Sequence, residues 1–530
     1  MYDWLIKNAT VIDGTGAPGF VADVAVKDGK IACVGTVAPE EARQVVDAAG
    51  KVVAPGFIDI HSHYDCGIFA DAAMESVLAQ GVTTVISGQC GDSRAPLEDH
   101  MVEEFDRWCA ASAAGAKIPY NWRSFGSFLD VVDEMKLGVN MGSLVGHSTV
   151  RLCAIGFGSR AATEEEIAKM RDMVDQALAE GALGLSTGLV YMPGMYADLH
   201  ELIEVSRALK KYNAPYVSHI RSESTELPEA VDEALEIARN VGVPCHIAHH
   251  KALGKSNWGL IDVSLEKIDA ARAEGMDVTV DQYPYILSTS AIRNLLPPWA
   301  LEGGIDAMVA RLEDPEQRAR IRSDIENYAE GCNIWHDAGG AEGVYAMDTH
   351  FTPQYEGKNM LEASKISGKD PLETALDIIA ANKGWDTACY ATGCEENIVK
   401  VMLKPYSMVG SDAVPCAPGA KCNPRTNGTF PRILGKYVRE DGVITLERAV
   451  HKMTGAPAAR LKLSHKGGIA EGMDADLVIF DPNTVIDRAT TKDPLARPEG
   501  IEWVFVNGKA AVMDGACTGV RAGRAVRREQ

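Results

Sequence analysis

The 530-residue chain lacks a long apolar run and an excess of positive charge. No stretch reaches the roughly 20 apolar residues that a membrane-spanning helix needs, and the N-terminal MYDWLIKNAT lacks the apolar segment of a secretory signal. With 52 basic against 74 acidic residues, the net charge of -22 repels phosphate backbones and anionic lipid surfaces. We therefore expect a soluble, cytoplasmic protein without a nucleic-acid or membrane partner.

Cysteine is sparse as well, and no internal repeat or low-complexity tract is visible. The twelve cysteines are irregularly spaced and form no Cys-x-x-Cys pair, which is typical of reduced thiols rather than of a disulfide framework. Most of them are expected to be small core residues. The apolar content of 46% is ample for one large domain with an accessory domain.

The two ends of the chain share a β-rich pattern. The first fifty residues alternate apolar and polar residues in short pieces separated by Asp-Gly and Gly-Lys turns, and the last sixty are similar. We infer that the two ends meet, and we expect a small β-sandwich domain built from residues 1–54 and 467–530.

Between these ends, short apolar runs alternate with amphipathic stretches of helical length, such as residues 163–182. This alternation is typical of βα units, and eight candidate strands are the number that closes a (β/α)8 barrel. We therefore expect an α/β fold with the barrel at residues 55–466. The candidate strands lie near residues 57–61, 82–87, 143–147, 183–187, 215–219, 244–249, 277–281 and 406–411.

Two gaps between candidate strands are long, at residues 90–142 and 286–405. Both contain helical segments instead of featureless loop, so we interpret them as insertions over the barrel mouth. An inserted subdomain is expected at about residues 286–345. It is a candidate lid that excludes water, although a rigid flap or a subunit contact fits the sequence equally well.

Potential metal ligands stand where the candidate strands end. Parallel barrel strands present functional side chains at their C-terminal ends. His61 and His63 are two residues apart, so both imidazoles lie on one face of the strand and can bind one ion. The other strand ends carry Cys90, His219, His246, His249, His250 and Asp412.

Each of these residues also has a structural interpretation. A single His-x-His pair is more often surface or core histidine, free cysteine usually lies in a core, and Asp412 could be a solvated turn residue. In a strand, His250 points opposite to His249 and is expected outside the metal site, and His246 is expected to face away from the barrel interior. The joint occurrence of such residues at successive strand ends favours a metal site.

Nine sequence motifs are spread over nearly the whole chain: PGFIDIHSH (55–63), SGQCGDSRAP (87–96), GHSTVR (146–151), GALGLSTGLVYMPGMYA (181–197), YVSHIRSE (216–223), IAHHKALG (247–254), DQYPY (281–285), GSDAVP (410–415) and NGTFPRILGKYVRE (427–440). Together they resemble the D-aminoacylase (N-acyl-D-amino-acid deacylase) family of the amidohydrolase superfamily. The fourth candidate strand, ALGLSTG, lacks the lysine that bridges two metals in many amidohydrolases.

The resemblance implies a zinc-dependent hydrolase of the amide bond of N-acyl-D-amino acids. Asp412 would be the general base that takes a proton from water and passes it to the leaving amine. The preference for D-substrates follows from the resemblance alone. The implied ligands are Cys90, His219 and His249 for a tightly bound zinc, and His61, His63 and Asp412 for a weaker neighbouring site.

Recognition of the amino-acid carboxylate requires fixed donors or positive charge. Arg221 and Lys251 each lie two residues after an implied ligand. Arg221 could instead pair with Glu223 or Glu226, and Lys251 could extend to solvent at the barrel rim. The resemblance adds four substrate contacts, although tyrosines in such loops often simply pack. These contacts are Tyr191, Tyr283, Ser288 and Thr289.

Three other functions are compatible with the sequence. A cyclic amidase of the hydantoinase type shares the barrel and the water chemistry but is expected to need the missing lysine. A dipeptidase acting on dipeptides that contain D-amino acids needs the same amide and the same carboxylate anchor. A non-catalytic scaffold would retain only the barrel. The expected partner is a small N-acyl amino acid, and a homo-oligomer is compatible with the sequence.

Overall fold

The computed structural model describes residues 1–327, 333–415 and 421–529. The strands are β1 (Tyr2–Val11), β2 (Phe20–Lys27), β3 (Lys30–Gly35), β4 (Ala42–Asp47), β5 (Val52–Pro55), β6 (Phe57–Asp59), β7 (Val82–Ser87), β8 (Asn140–Ser143), β9 (Val145–Gly146), β10 (Leu185–Gly188), β11 (Tyr216–His219), β12 (Cys245–Ile247), β13 (Val278–Gln282), β14 (Leu287–Ser290), β15 (Val344–Thr349), β16 (Lys358–Asn359), β17 (Asp386–Ala391), β18 (Ser407–Val409), β19 (Leu477–Phe480), β20 (Ile501–Val506), β21 (Lys509–Met513), β22 (Ala516–Cys517) and β23 (Ala525–Val526).

The helices alternate with the strands in the middle of the chain. They are α1 (Tyr64–Gly67), α2 (Glu75–Leu78), α3 (Val102–Trp108), α4 (Phe125–Met135), α5 (His147–Ile155), α6 (Glu164–Ala179), α7 (Leu199–Ser206), α8 (Leu227–Val241), α9 (Leu260–Ala273), α10 (Pro298–Leu301), α11 (Gly304–Glu313), α12 (Pro315–Glu326), α13 (Ile334–Asp337), α14 (Met360–Ser367), α15 (Pro371–Asn382), α16 (Glu395–Leu403), α17 (Arg425–Arg432), α18 (Leu446–Met453) and α19 (Gly455–Arg460).

Parallel strands form the expected (β/α)8 barrel. One sheet runs β6-β7-β8 and a second runs β9-β10-β11-β12-β13-β18, and β8 and β9 are two parts of one strand interrupted at Leu144. A parallel bridge between Ser62 and Ala413 joins the first barrel strand to the eighth. The predicted fold class is therefore confirmed. The C-terminal ends of all eight strands open on the same side, where functional side chains gather.

Two of the helices that separate the barrel strands have clear capping signals. The Thr163 side chain accepts a hydrogen bond from the backbone of Glu166, and the Glu166 carboxylate accepts one from Thr163, which forms a capping box at the start of α6. Gly242, with a φ of 76°, ends α8 in the left-handed conformation. These signals mark the start of α6 and the end of α8.

The two chain ends form one nine-stranded sheet, in the order β22-β21-β20-β19-β5-β1-β2-β3, with β4 also paired to β1. The sheet curls, because Trp4 on β1 contacts Trp503 and Phe505 on β20 at ring distances of 5.8 and 5.2 Å although two strands separate β1 from β20. The two halves thus face each other across their own apolar core, as the sandwich pattern predicts.

The insertion lies within the gap at residues 286–405, as expected, but its sheet extends past residue 345, the expected end of the inserted subdomain. β14 pairs with β17 at residues 386–391, and β15 and β16 complete an antiparallel sheet. The first strand of this insertion therefore has its partner forty residues beyond the expected end. Residues 328–332 of the expected range lie outside the described residues.

Other features of the described residues agree with the composition. Seven of the ten cysteines in this part of the chain are buried, as expected of small core residues. No helix in the described ranges is both long and apolar enough to cross a membrane. The end of the chain returns to the barrel, where β23 pairs in parallel with β8.

A buried ion cluster joins the curled sheet to the barrel. Lys466 lies 3.0 Å from Asp474 and 2.6 Å from Asp476, and all three side chains are less than 10% exposed. Asp476 also accepts hydrogen bonds from Asn140 on β8 and from the backbone of Asn507. Removing one partner from such a cluster leaves an uncompensated buried charge.

We expect Lys466→Met to lower the free energy of unfolding by about 3–5 kcal/mol, because Asp474 and Asp476 lose their buried partner. Lys30→Met is the matched control, since Lys30 pairs with the same Asp474 at 2.7 Å but is 43% exposed; we expect a loss of at most about 1 kcal/mol. Urea denaturation measures both. Equal losses of unfolding free energy in the two variants would show that burial of the Lys466 ion pairs does not increase the cost of breaking them.

Candidate active site

Three predicted ligands lie in left-handed turns just beyond the strand ends. Cys90 follows β7 with a φ of 54°, His249 follows β12 with a φ of 34°, and Asp412 follows β18 with a φ of 48°. Such angles are uncommon for residues other than glycine and cluster at functional sites. Each turn bends the chain away from the strand direction, so the side chain is free to point over the barrel mouth.

Cys90, His219 and His249 form a compact buried cluster. Their potential ligand atoms all lie within 4.8 Å of one another, and the Cys90 sulfur is 3.4 Å from His249 Nε2. Burial works to raise the pKa of the Cys90 thiol, but the neighbouring His61 and His249 hold this pKa well below its usual value. Burial also lowers the pKa of His219. A thiolate and a neutral imidazole are the protonation states that bind metal.

The other three predicted ligands lie beside this cluster. His61 Nε2 is 3.4 Å from the Cys90 sulfur and 3.5 Å from Asp412 Oδ1. His63 Nε2 lies 3.1 Å from the same Asp412 oxygen. His61, His249 and Asp412 also have ligand atoms within 4.8 Å of one another. The structure therefore brings all six predicted ligands into one continuous centre.

The donor set of this centre fits zinc. A thiolate with imidazoles and a carboxylate is a typical zinc ligand set, and zinc accepts tetrahedral arrangements of such donors. His219 provides a further indication. Its Nδ1 is buried and has no hydrogen-bond partner among the described residues, whereas its Nε2 lies 3.6 Å from Glu223 Oε2. A histidine that binds a metal is expected to have a buried ring nitrogen without a hydrogen-bond partner in the protein.

Asp281 contacts three of the histidines. Its Oδ2 is 3.2 Å from His61 Nδ1 and 2.8 Å from His246 Nε2, and its Oδ1 accepts a hydrogen bond from the backbone N–H of His249. The expectation that His246 faces away from the barrel interior is therefore wrong. β12 ends at Ile247, so strict alternation does not continue to His249, and His246 and His249 both point inward.

His250 lies outside the metal centre, as expected. Its Nε2 is 3.0 Å from the Ser264 hydroxyl on α9, in the layer between the barrel and its helices. Burial lowers the pKa of this imidazole to about 4, so His250 is a neutral packing residue.

Glu223 connects His249, a predicted metal ligand, to Lys251. Its Oε1 lies 2.9 Å from His249 Nδ1 and accepts a hydrogen bond from Lys251 Nζ at 2.6 Å. Burial opposes ionisation of Glu223, but Lys251 and His249 lower its pKa far enough to keep it charged. The sequence suggested Glu223 only as a partner of Arg221. Its spacing of four residues from His219 was an available signal for a role beside the metal.

Arg425 is a site residue that sequence reasoning missed. This fully buried guanidinium lies 2.9 Å from Asp412 Oδ2 and stacks 4.3 Å above the Tyr283 ring. Burial works to raise the pKa of Asp412, but Arg425 contributes to holding it well below its usual value. Arg425 begins α17, and no pattern around it in the sequence indicates that α17 reaches the barrel mouth.

Arg221 is placed differently from the expectation. Its guanidinium is held by Glu233 on α8 at 2.8 Å and donates to the backbone carbonyls of Met195 and Ala197, both at 3.0 Å. Neither Glu223 nor Glu226 is its partner. These bonds tie Arg221 to the loop after β10, and its side chain also lines the cavity that contains Lys251, so a contact of Arg221 with a substrate carboxylate stays a prediction.

The remaining predicted substrate residues line two cavities that meet at the metal centre. We name the larger one, of about 270 Å³, the lysine arm after Lys251. We name the smaller one, of about 160 Å³, the tryptophan arm after Trp108. Lys251, Tyr283 and Ser288 line the lysine arm alone. Tyr191, Thr289 and Asp412 line both arms.

The lysine arm offers polar groups to a ligand. The Tyr283 hydroxyl is buried and has no hydrogen-bond partner among the described residues, and Lys251 Nζ lies 5.5 Å above the Tyr283 ring. The Ser288 hydroxyl is 3.1 Å from that of Thr392. Tyr191 packs its ring 4.8 Å from the His219 ring, beside the metal centre. A polar ligand in this arm would supply the missing partner of Tyr283.

The chain matches known proteins over nearly its whole length. The profile of the amidohydrolase family matches residues 44–512. D-aminoacylase of Alcaligenes xylosoxydans xylosoxydans is 34% identical over 528 residues, which cover 99% of this chain and 98% of that protein.

Two solved structures agree with these sequence matches. A D-aminoacylase with a binuclear metal centre is 34% identical, covers 100% of both chains and has a TM-score of 0.83. N-acyl-D-glutamate deacylase from Bordetella bronchiseptica, complexed with zinc and a phosphonate that mimics the tetrahedral intermediate, is 32% identical, covers 99% of both chains and also has a TM-score of 0.83.

We expect Glu223→Gln to weaken metal binding about 10- to 100-fold, because carboxylates behind a ligating histidine fix its orientation and raise its basicity. Glu236→Gln, on the exposed face of α8, is the matched control and should bind metal as the unaltered protein does. Competition with a chelator of known zinc affinity measures the difference. Unchanged affinity in Glu223→Gln would exclude this supporting role.

Proposed function

We propose that this chain, which belongs to the amidohydrolase family, hydrolyses the amide bond of N-acyl-D-amino acids with a bound zinc ion. The products are a carboxylic acid and a D-amino acid. The resemblance to the D-aminoacylase branch, read from the sequence motifs, is confirmed by full-length relatives. The observation that carries the proposal is the cluster of Cys90, His219 and His249 beside Asp412, at the junction of two cavities.

In this proposal Cys90, His219 and His249 hold the tightly bound zinc. His61, His63 and Asp412 surround a second, weaker site, which is consistent with the binuclear centre of the related D-aminoacylase. When bound, zinc supplies a Lewis acid that polarises the amide carbonyl and makes water acidic enough to react near neutral pH.

Asp412 is the proposed general base and acid. Arg425 holds Oδ2 at 2.9 Å, while Oδ1 faces His61 and His63 at 3.5 and 3.1 Å. Because Arg425 keeps Asp412 ionised, the carboxylate can accept the proton of the attacking water. It then passes this proton to the departing nitrogen, without which the tetrahedral intermediate would return to substrate.

The lysine arm is the proposed site of the amino-acid half of the substrate. Lys251 supplies positive charge, and the Tyr283 hydroxyl is a buried donor without a partner among the described residues. Both groups suit a carboxylate, which accepts several hydrogen bonds. Ser288, Thr289 and Tyr191 complete the walls of this arm.

We expect the zinc-loaded protein to hydrolyse N-acetyl-D-amino acids at least 100-fold faster than their L-enantiomers. A ninhydrin assay for released amine on matched D and L pairs measures this ratio, and dipeptides containing D-amino acids and hydantoins provide the competing substrates. Faster hydrolysis of a dipeptide or a hydantoin would favour one of the other enzymes, and no hydrolysis of any of them would favour a scaffold.

Asp412→Asn should reduce kcat by about three orders of magnitude or more, since the amide cannot shuttle the proton. Zinc content should be retained, because Cys90, His219 and His249 remain. Metal analysis and kcat are measured on the same preparation. Substantial activity in a zinc-loaded Asp412→Asn protein would refute the proton-transfer role.

A further inference from the structure

We propose that the tryptophan arm binds the acyl group of the substrate and selects apolar acyl chains longer than acetyl. This inference rests on the proposed function and adds the acyl preference to it. The arm begins at the metal centre, where His63, Cys90 and Asp412 line it, and continues into the insertions over the barrel mouth. Its apolar walls are formed by Trp108, Leu152, Met192, Ala291, Leu301 and Val414.

The direction of the substrate follows from the different chemistry of the two arms. An N-acyl amino acid carries its carboxylate on one side of the amide and its acyl chain on the other. The lysine arm contains Lys251 and the unpartnered Tyr283 hydroxyl, so it suits the carboxylate side. When the amide lies at Asp412, where the two arms meet, the acyl chain enters the tryptophan arm.

Charged residues of the tryptophan arm are balanced within the protein. Arg94 lies 2.5 Å from Asp92 and 3.5 Å from Asp65, so its charge is compensated by two carboxylates. Arg293 stacks 4.5 Å from the Trp108 ring, donates to the backbone carbonyls of Trp108 and Gly384, and is close enough to the buried Asp386 for that carboxylate to act on its charge. Carboxylates of the protein thus offset both guanidinium groups, and an anionic acyl group would lose its hydration for little ion-pair gain.

The size of the arm sets the length of the acyl chain. A cavity of about 160 Å³ exceeds the space that the single methyl group of acetyl fills. Each methylene group transferred from water to an apolar wall strengthens binding about fourfold. The gain should continue until the chain reaches the end of the arm and then stop.

The test is a series of acetyl, butyryl, hexanoyl and octanoyl derivatives of the D-amino acid whose acetyl derivative the zinc-loaded protein hydrolyses best. We expect kcat/KM to rise at least tenfold from acetyl to hexanoyl, and the succinyl derivative to show no such gain. Calorimetry on Asp412→Asn gives a second readout, because the dissociation constants should fall in parallel with chain length when turnover is blocked.

Variants with larger side chains in the tryptophan arm should remove the increase of kcat/KM with acyl chain length. Ala291→Leu, at a half-buried position of the wall, and Leu152→Phe, on α5, are each expected to reduce the hexanoyl-to-acetyl ratio of kcat/KM to about threefold or less. Val190→Leu is the matched control, since Val190 lines only the lysine arm. It should keep the ratio of the unaltered protein.

The two possible failures are distinguishable. If no acetyl derivative of a D-amino acid is hydrolysed, the proposed function itself is wrong. If acetyl derivatives are hydrolysed but the series is flat or falls with chain length, the function stands and the assignment of the tryptophan arm is wrong. A higher kcat/KM for the succinyl than for the hexanoyl derivative would also overturn the assignment. So would a hexanoyl-to-acetyl ratio of kcat/KM that changes only in Val190→Leu.

Discussion

The junction between the first and eighth barrel strands decides where the predicted metal ligands lie. Asp59 accepts hydrogen bonds from the Ser411 backbone at 2.8 Å, from the Ser411 hydroxyl at 2.5 Å and from the His61 backbone at 3.3 Å. The Asp412 backbone donates to the His61 carbonyl at 2.8 Å. Residues that are 350 positions apart in the chain are thereby fixed side by side. Without this closure, His61 and His63 could not face Asp412.

The buried carboxylates of this region orient the site more than they stabilise the fold. Burial raises the pKa of Asp59 to about 6, and Asp281 is also inaccessible to solvent. Removing such an ion from water costs several kcal/mol, and a hydrogen bond to a charged group returns about 1.5–3 kcal/mol. Two or three bonds therefore roughly cancel the cost of burial. The main contribution of these carboxylates is therefore to orient the site, because each one fixes strand ends that carry the histidines.

The sequence predicted that the candidate ligands lie close together, because their positions follow from local rules. Parallel strands end on one side of a barrel, so His61, His219 and Asp412 could be placed together from strand positions alone. The rules failed where the backbone leaves the strand conformation or where distant elements dock. The left-handed turn at His249 breaks the alternation along the strand from which the direction of His246 was inferred. The contact of Arg425 with Asp412 depends on how α17 docks over the barrel, which no local pattern encodes.

One carboxylate makes the metal centre and the lysine arm a single unit. Glu223 Oε1 lies 2.9 Å from His249 Nδ1 and 2.6 Å from Lys251 Nζ, so the two groups share one acceptor. Under the proposed function, a substrate carboxylate bound at Lys251 and a metal bound at His249 would both act on the Glu223 carboxylate. Glu223 would thus couple the two sites, although it is neither a predicted metal ligand nor a predicted substrate contact.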